Sequence, residues 1–119
     1  MAKVIGCHVI AKGNPANAMQ IAPNIIKNGL LVNQAFLGFG VYAYYDNMVP
    51  QSQASKPMVV FEVDDSIVIR QPVFLQQHPN YAFMKIVGQP NGYVRVNILG
   101  FLNLSGSGLK SYNGTIGVI

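Results

Sequence analysis

The spacing of apolar residues changes several times along the chain, and the apolar runs mark candidate strands. Residues 3–10 form a β-branched, apolar stretch, which predicts a largely buried first strand. Shorter runs of the same character predict strands at residues 41–45, 58–63 and 67–70. The polar stretch between the second and third of these four strands indicates a loop or a short helix.

One helix is predicted between the first two strands. Apolar residues recur at three- and four-residue spacing over positions 18–26, which gives a helix one apolar face. Asn14 followed by Pro15 predicts the start of this helix, and Gly29 predicts its end. Pro23 interrupts the pattern, so we expect a kink or two short helices.

The second half of the chain has the pattern of a β-rich structure. Two strand-like runs, residues 81–87 and 93–99, flank Pro90–Gly92, whose Pro-Asn-Gly sequence predicts a β-hairpin. A last strand is expected at residues 115–119. Residues 1–119 are therefore expected to form a single α+β domain, with two small, mostly antiparallel sheets and one or two N-terminal helices.

Composition restricts the classes of protein to which the chain could belong. Half of its 119 residues are hydrophobic and only 10% are charged, so self-association into a homo-oligomer is an open alternative. The net charge is +4, but the basic residues are scattered singly, which favours a mildly basic surface over a nucleic-acid site. Neither a signal peptide nor an apolar run of membrane-spanning length is evident, so we expect a cytoplasmic protein without a membrane partner. Export as a toxin by another route stays open.

Few side chains suit metal or thiol chemistry. The single Cys7 excludes an internal disulfide, and its apolar surroundings favour a buried, inert thiol over a nucleophile. His78 lies in a polar segment beside Pro79, where we expect it to face solvent. With two histidines, one cysteine and no cluster of ligands, no metal site is predicted.

Three short segments contain the residue types that could form a functional site. His8 ends a short apolar run, and Tyr42 follows 34 positions later in the glycine-containing segment Gly38–Ala43. Near the C-terminus, Gly114 lies within the segment Tyr112–Ile116.

In the order strand, helix, glycine loop and strand, the chain resembles the ADP-ribosyltransferase fold of the poly(ADP-ribose) polymerase and diphtheria-toxin group. Gly40–Ala43 is similar to the Gly-Ile/Val-Tyr-Phe/Ala segment of that group, and Asn28–Leu30 is similar to the Asn-Gly-Leu/Phe that closes its first helix. Tyr112–Asn113 resembles the Tyr-Asn-Glu segment of the polymerases. Each motif is short, so the resemblance depends on their joint order.

The resemblance implies a minimal, NAD-dependent mono-ADP-ribosyltransferase, a glycosyltransferase that modifies a protein or a nucleic acid. His8 would hold the ribose next to nicotinamide, and Tyr42, which follows Gly40, would stack on the nicotinamide ring. The backbone of Val9 would bond the carboxamide. A bacterial or phage toxin would suit the size of the chain.

Three positions depart from the family pattern. Val9 stands where the residue after the histidine is usually glycine. A second aromatic wall is missing at its usual place, and of Tyr44 and Tyr45 we expect Tyr45 to supply it. Gly114 occupies the position of the catalytic glutamate, although glycine can neither accept a hydrogen bond from a ribose hydroxyl nor stabilise positive charge at the anomeric carbon.

Three explanations of Gly114 stay open. The chain could have lost activity naturally and retained NAD binding or only the fold. It could transfer a single ADP-ribose with a carboxylate of the substrate itself, or an active toxin could have been inactivated on purpose. Glu62 would replace the missing acid only if it pointed toward His8, and its position favours an exposed strand residue instead.

Two other functions fit the sequence. A non-enzymatic, β-rich binding or assembly module would have the same low charge and the same abundance of Asn, Gln and Gly. Nucleic-acid binding through the basic residues and tyrosines is a third hypothesis. Each of the residues proposed for the site could instead be an ordinary core or turn residue.

Overall fold

The computed structural model describes residues 2–35 and 37–119. Within these ranges the protein is an α+β domain with one α-helix, α1 (Pro15–Asn28), and nine strands in two antiparallel sheets, which confirms the predicted class. No helix in the described part of the chain is long and apolar enough to cross a membrane. The strands are β1 (Lys3–Val9), β2 (Leu30–Leu31), β3 (Asn33–Ala35), β4 (Gly38–Tyr45), β5 (Met58–Asp64), β6 (Val68–Pro72), β7 (Ala82–Val87), β8 (Tyr93–Val94) and β9 (Asn97–Leu102).

The large sheet has the strand order β6-β7-β4-β1-β5-β9, and β3 pairs with β4 in addition. The small sheet contains only β2 and β8. Because successive side chains of a strand point to opposite faces, β1 and β5 contribute to two separate cores. Val59 and Phe61 pack in the main core with Ala18, Ala22 and Ile25 of α1. The second core lies on the opposite face and contains the buried residues Cys7, Val49, Met58 and Val60.

Local signals position α1 as the sequence predicts. The side chain of Asn14 accepts a hydrogen bond from the backbone N–H of Asn17 (3.1 Å), and Gly29 ends the helix with φ of 102°. The helix continues through Pro23 as one element, so the alternative of two short helices is wrong. Proline leaves the carbonyl of Met19 without its helical donor. Both residues lie on the exposed side of α1, where water can hydrate that carbonyl.

The predicted β-hairpin does not form. Pro90–Gly92 makes a turn, in which the N–H of Gly92 donates to the carbonyl of Gln89 (3.0 Å), but the strands on either side of it belong to different sheets. Strand β7 pairs with β4 and β6, whereas β8 pairs with β2. Strand β2, in the segment after α1, therefore competes with β7 for pairing with β8. The N–H of Val32, directly after β2, also donates to the carbonyl of Gly92 (2.9 Å).

The predicted C-terminal strand is reduced to one isolated, parallel bridge between Val118 and Val49. Before this bridge, the chain lies along the outer edge of β9. The N–H of Phe101 donates to the carbonyl of Lys110 (2.8 Å), and the N–H of Tyr112 donates to the carbonyl of Phe101 (3.0 Å). Residues 110–112 therefore pair with the outer edge of β9 at Phe101.

The opposite edge of the large sheet is β6, whose backbone donors are mostly in use. The N–H of Val73 donates toward β7, to the carbonyl of Tyr81 (3.0 Å). By the alternation of an antiparallel ladder, the N–H groups of residues 68, 70 and 72 then point outward. Val68 already donates to the carbonyl of Asp65, and Pro72 has no N–H.

Gly29 and Gly108 both have positive φ, but they differ in their surroundings, which permits a matched test. A Cβ at Gly29 would collide with the carbonyl of Val94, whereas a Cβ at Gly108 would meet nothing within 4 Å. We expect Gly29→Ala to lower the free energy of unfolding by about 3 kcal/mol. Gly108→Ala should lower it by only about 1 kcal/mol. Urea denaturation would measure both changes, and equal losses would contradict the packing argument.

Candidate functional site

One edge of β4 is shared by two strands that do not meet. Strand β1 pairs with residues 44–45 of β4, and β3 pairs with residues 38–40. Residues 41–43 lie between them and pair only with β7, on the other side. Beyond this point β1 stays paired with β5 as far as Val9. The large sheet is therefore open between β1 and β4.

The side chain of His8 fills this opening. Its Nδ1 lies 2.8 Å from the backbone carbonyl oxygen of Tyr42. Since a carbonyl can only accept, Nδ1 must carry the proton, which leaves a lone pair on Nε2 when the ring is neutral. Desolvation by burial lowers the pKa of His8 below its ordinary value, and the bond to the Tyr42 carbonyl partly opposes this. His8 is therefore neutral at pH 7, and its Nε2 is an acceptor.

A pocket of about 390 Å³ opens beside this hydrogen bond, and we call it the His8–Tyr42 pocket. It lies within the range of small-molecule sites. The ring of Phe83 stands 6.3 Å from that of Tyr42, tilted by 50°. The lining residues are His8, Val9, Ala35, Tyr42, Ala43, Tyr44, Gln53 and Phe83. Three aromatic rings and one histidine acceptor suit a flat, weakly polar ligand.

Tyr42 is held at both its backbone and its side chain. His8 bonds the carbonyl of Tyr42, and the Tyr42 hydroxyl donates to the carbonyl of Gly38 (2.6 Å). Desolvation raises the pKa of this phenol, so it remains protonated and able to donate. Gly40 does not line the pocket, because β7 passes so close that a Cβ there would lie 2.8 Å from the carbonyl oxygen of Ile86.

The structure places Tyr44 at the pocket instead of Tyr45. Tyr42 and Tyr44 share a face of β4 because side chains alternate along a strand. Tyr45 points to the other face and packs against the main core. The second aromatic wall expected from Tyr45 is therefore supplied by Tyr44, together with Phe83 from β7.

Gly114 is not among the residues that line the His8–Tyr42 pocket. It lies in the C-terminal segment, where an added Cβ would collide with the ring and hydroxyl of Tyr112. The ring of Tyr112 packs against the second core. Two of the three expected site residues, His8 and Tyr42, thus come together, and the third does not join them.

None of the four acidic residues lines the pocket either. Glu62 pairs with Ile5 in the β1–β5 ladder, which places its side chain on the opposite face of the sheet from that of His8. The remaining acids are Asp46, Asp64 and Asp65, in or beside the turns that follow β4 and β5. The pocket therefore offers no carboxylate to a ligand.

Other candidate groups lie apart from this site. Cys7 is fully buried, and desolvation, with a smaller contribution from Asp46, raises its pKa to about 12, which makes it the inert thiol that the sequence indicates. No group of three or more metal-ligating side chains occurs among the described residues. His78 is exposed and lines a separate pocket of about 260 Å³. His8 also borders a cavity of about 240 Å³ beneath α1.

Sequence reasoning missed Phe83 and Gln53. Phe83 lies in a predicted strand, but nothing local indicates that β7 pairs with β4 and brings Phe83 opposite Tyr44. Gln53 belongs to the turn-rich segment between β4 and β5. Neither residue carries a motif, so only the tertiary structure could identify them.

The lowered pKa of His8 predicts a pH dependence of stability. An unfolded histidine titrates near pH 6.5, above the folded value. The unfolded state therefore binds more protons as the pH falls through the window from about 6.5 to the folded pKa, and stability decreases there. We expect His8→Gln to lose less stability than the wild type between about pH 7.5 and about pH 5 in urea denaturation. His78→Gln, which removes the exposed histidine, is the matched control, and equal pH dependence in all three proteins would contradict the assignment.

Comparisons with known proteins add no relative to this picture. No protein-family model matches the chain, and neither a curated protein nor a solved structure matches it.

Proposed function

We propose that the protein is an NAD-binding domain of the ADP-ribosyltransferase type, whose His8–Tyr42 pocket receives the nicotinamide ring. One observation supports this above the others. His8 and Tyr42, which the family resemblance selects, are joined by a hydrogen bond of 2.8 Å and line one pocket. They lie 34 residues apart in the sequence and on different strands, so sequence proximity does not explain their meeting.

The pocket has suitable groups for each part of this ligand. The faces of Tyr42, Tyr44 and Phe83 offer stacking area to a flat ring. The Nε2 lone pair of His8 can accept a hydrogen bond from a ribose hydroxyl. The backbone of Val9, at the same pocket, supplies polar atoms for the carboxamide.

The absence of a carboxylate at the pocket limits the proposed chemistry. When nicotinamide leaves, positive charge develops at the anomeric carbon, and nothing at the pocket offsets it. We therefore favour substrate-assisted transfer over unaided hydrolysis. A carboxylate of an acceptor protein would attack the anomeric carbon and form an ester to ADP-ribose, and nicotinamide would leave with the electron pair of the broken C–N bond. A nucleic-acid acceptor would have to supply an equivalent nucleophile.

The first test is calorimetric titration of NAD into the wild type and two tyrosine variants. Tyr44→Ala removes one wall of the pocket and should weaken binding roughly tenfold, which corresponds to about 1.4 kcal/mol. Tyr93→Ala is the matched control, since this exposed tyrosine of β8 does not line the pocket, and it should bind as the wild type. Nicotinamide should not be released from NAD by the wild type alone.

We expect no nicotinamide release from the Gly114→Glu variant either, because the new side chain would displace Tyr112 without reaching the pocket. Release restored by this substitution would mean that the C-terminal segment can close onto the pocket. If the wild type binds neither NAD nor nicotinamide, the proposed function is wrong.

A non-enzymatic assembly module is the second candidate, and one surface favours it. Large apolar side chains are exposed just before β6, within it and in the loop that follows, including Phe74 at 81% exposure. Exposed apolar side chains that lie this close along the chain are a feature of interaction sites. The residues concerned are Ile67, Ile69, Val73, Phe74 and Leu75.

For the assembly function we expect a defined oligomer in light scattering that Phe74→Ser dissociates by removing an exposed ring from the interface. Phe39→Ser is the control, because Phe39 is also exposed but lies on β4, outside this surface. A monomer in the wild type, or an oligomer that both variants leave intact, would count against this surface.

A further inference from the structure

Lys85 lies beside the His8–Tyr42 pocket without being part of its lining. It is directly opposite Tyr42 in the β4–β7 ladder, two positions from Phe83 and on the same face. Its aliphatic chain crosses β4 over Gly40, where an added Cβ would lie 3.1 Å from both Cγ and Cε of the lysine. The two glycines of the Gly38–Ala43 segment leave room for this side chain, and Nζ lies only 3.5 Å from where a Cβ of Gly38 would be.

The ammonium group retains both charge and donors for a ligand. Nζ donates to the carbonyl of Leu37 (2.5 Å), which occupies one of its three N–H groups. A carbonyl carries only a partial charge, and the acidic residues lie on β5 or in turns at the other end of β4 and β5. Lys85 is half-buried, so solvent screens its charge less than that of a fully exposed lysine.

We propose that Lys85 binds a phosphate group of the ligand, so that the site selects a nucleotide over a free ring or a nucleoside. This inference rests on the proposed function, because it takes the ring to lie against Tyr42. A ring held there has its ribose near His8 and its phosphate within the reach of the cation opposite Tyr42. The glycines at 38 and 40 then serve the site indirectly, by seating the lysine that contacts the phosphate.

The test compares nicotinamide, nicotinamide riboside and nicotinamide mononucleotide, because the last two differ by one phosphate. We expect the wild type to bind the mononucleotide roughly tenfold or more tighter than the riboside at low salt, as one charge-assisted hydrogen bond would provide. Lys85→Met keeps the aliphatic chain and removes the charge, so it should bind the two ligands equally. Lys85→Arg should retain the preference. Lys110→Met is the control, since it makes the same change in net charge at the β9 edge and should leave the preference intact.

The outcomes separate this inference from the proposed function. If the wild type binds the riboside and the mononucleotide equally, or if Lys85→Met retains the preference, Lys85 is only a structural clamp on Leu37 and the inference is wrong, while the proposed function stands. If the wild type binds NAD but none of the three smaller ligands, the inference is wrong, and if it does not bind NAD either, the proposed function fails as well. Loss of riboside binding by Lys85→Met would show that the substitution damages the pocket. Lys85→Arg then decides, because equal binding of riboside and mononucleotide by this cationic variant overturns the inference and a retained preference supports it.

Discussion

Strands β1 and β3 lie along the same edge of β4, and neither covers the residues between them. Unpaired backbone groups inside a sheet are costly unless another donor or acceptor replaces the missing strand. The imidazole of His8 does this for the carbonyl of Tyr42, with a bond of 2.8 Å. A side chain thus takes the place of a strand at this carbonyl. The sheet is continuous between β4 and β7 and open between β4 and β1. The pocket exists because the sheet is open there, and His8 can be both a structural bridge and a ligand acceptor because its two nitrogens are separate.

The two faces of the large sheet differ in what covers them. The face of the sheet that carries α1 is closed by the main core, whereas the other face carries the aromatic wall of Tyr42, Tyr44 and Phe83 next to the second core. The C-terminal segment pairs with β9 at Phe101, packs Tyr112 and Ile116 against the second core, and ends beside the turn that follows β4. The pocket shares Val9 and Tyr44 with the second core, against which the C-terminal segment also packs. Phe83 belongs to neither core, so a substitution there can alter a ligand's contacts with less effect on the packing of the fold.

How well the sequence predicts each element depends on how local its determinants are. Asn14, Pro15 and Gly29 define α1 correctly because capping and positive φ act within a few residues. The hairpin prediction fails although its turn forms, because β2 competes for β8 over a long sequence separation. Strand alternation places Tyr42 and Tyr44 on one face of β4, but it does not indicate which face the main core covers. The prediction of Tyr45 fails for this reason. Phe83 reaches the pocket, and Lys85 a position beside it, only through the β4–β7 register, which no local pattern specifies.

The β6 edge has a consequence for how molecules of this protein can meet. Of its three outward positions, Pro72 has no N–H and Val68 has already used its own, so only the N–H of residue 70 remains for a neighbouring strand. An added strand would find that one donor and the outward carbonyls of β6, and at the opposite end of the sheet residues 110–112 already pair with Phe101 of β9. The β6 edge is therefore a poorer template for strand-by-strand stacking than an edge with all its donors free. Contact between copies at β6 would depend more on its exposed side chains, whose shape can discriminate between partners in a way that backbone pairing cannot.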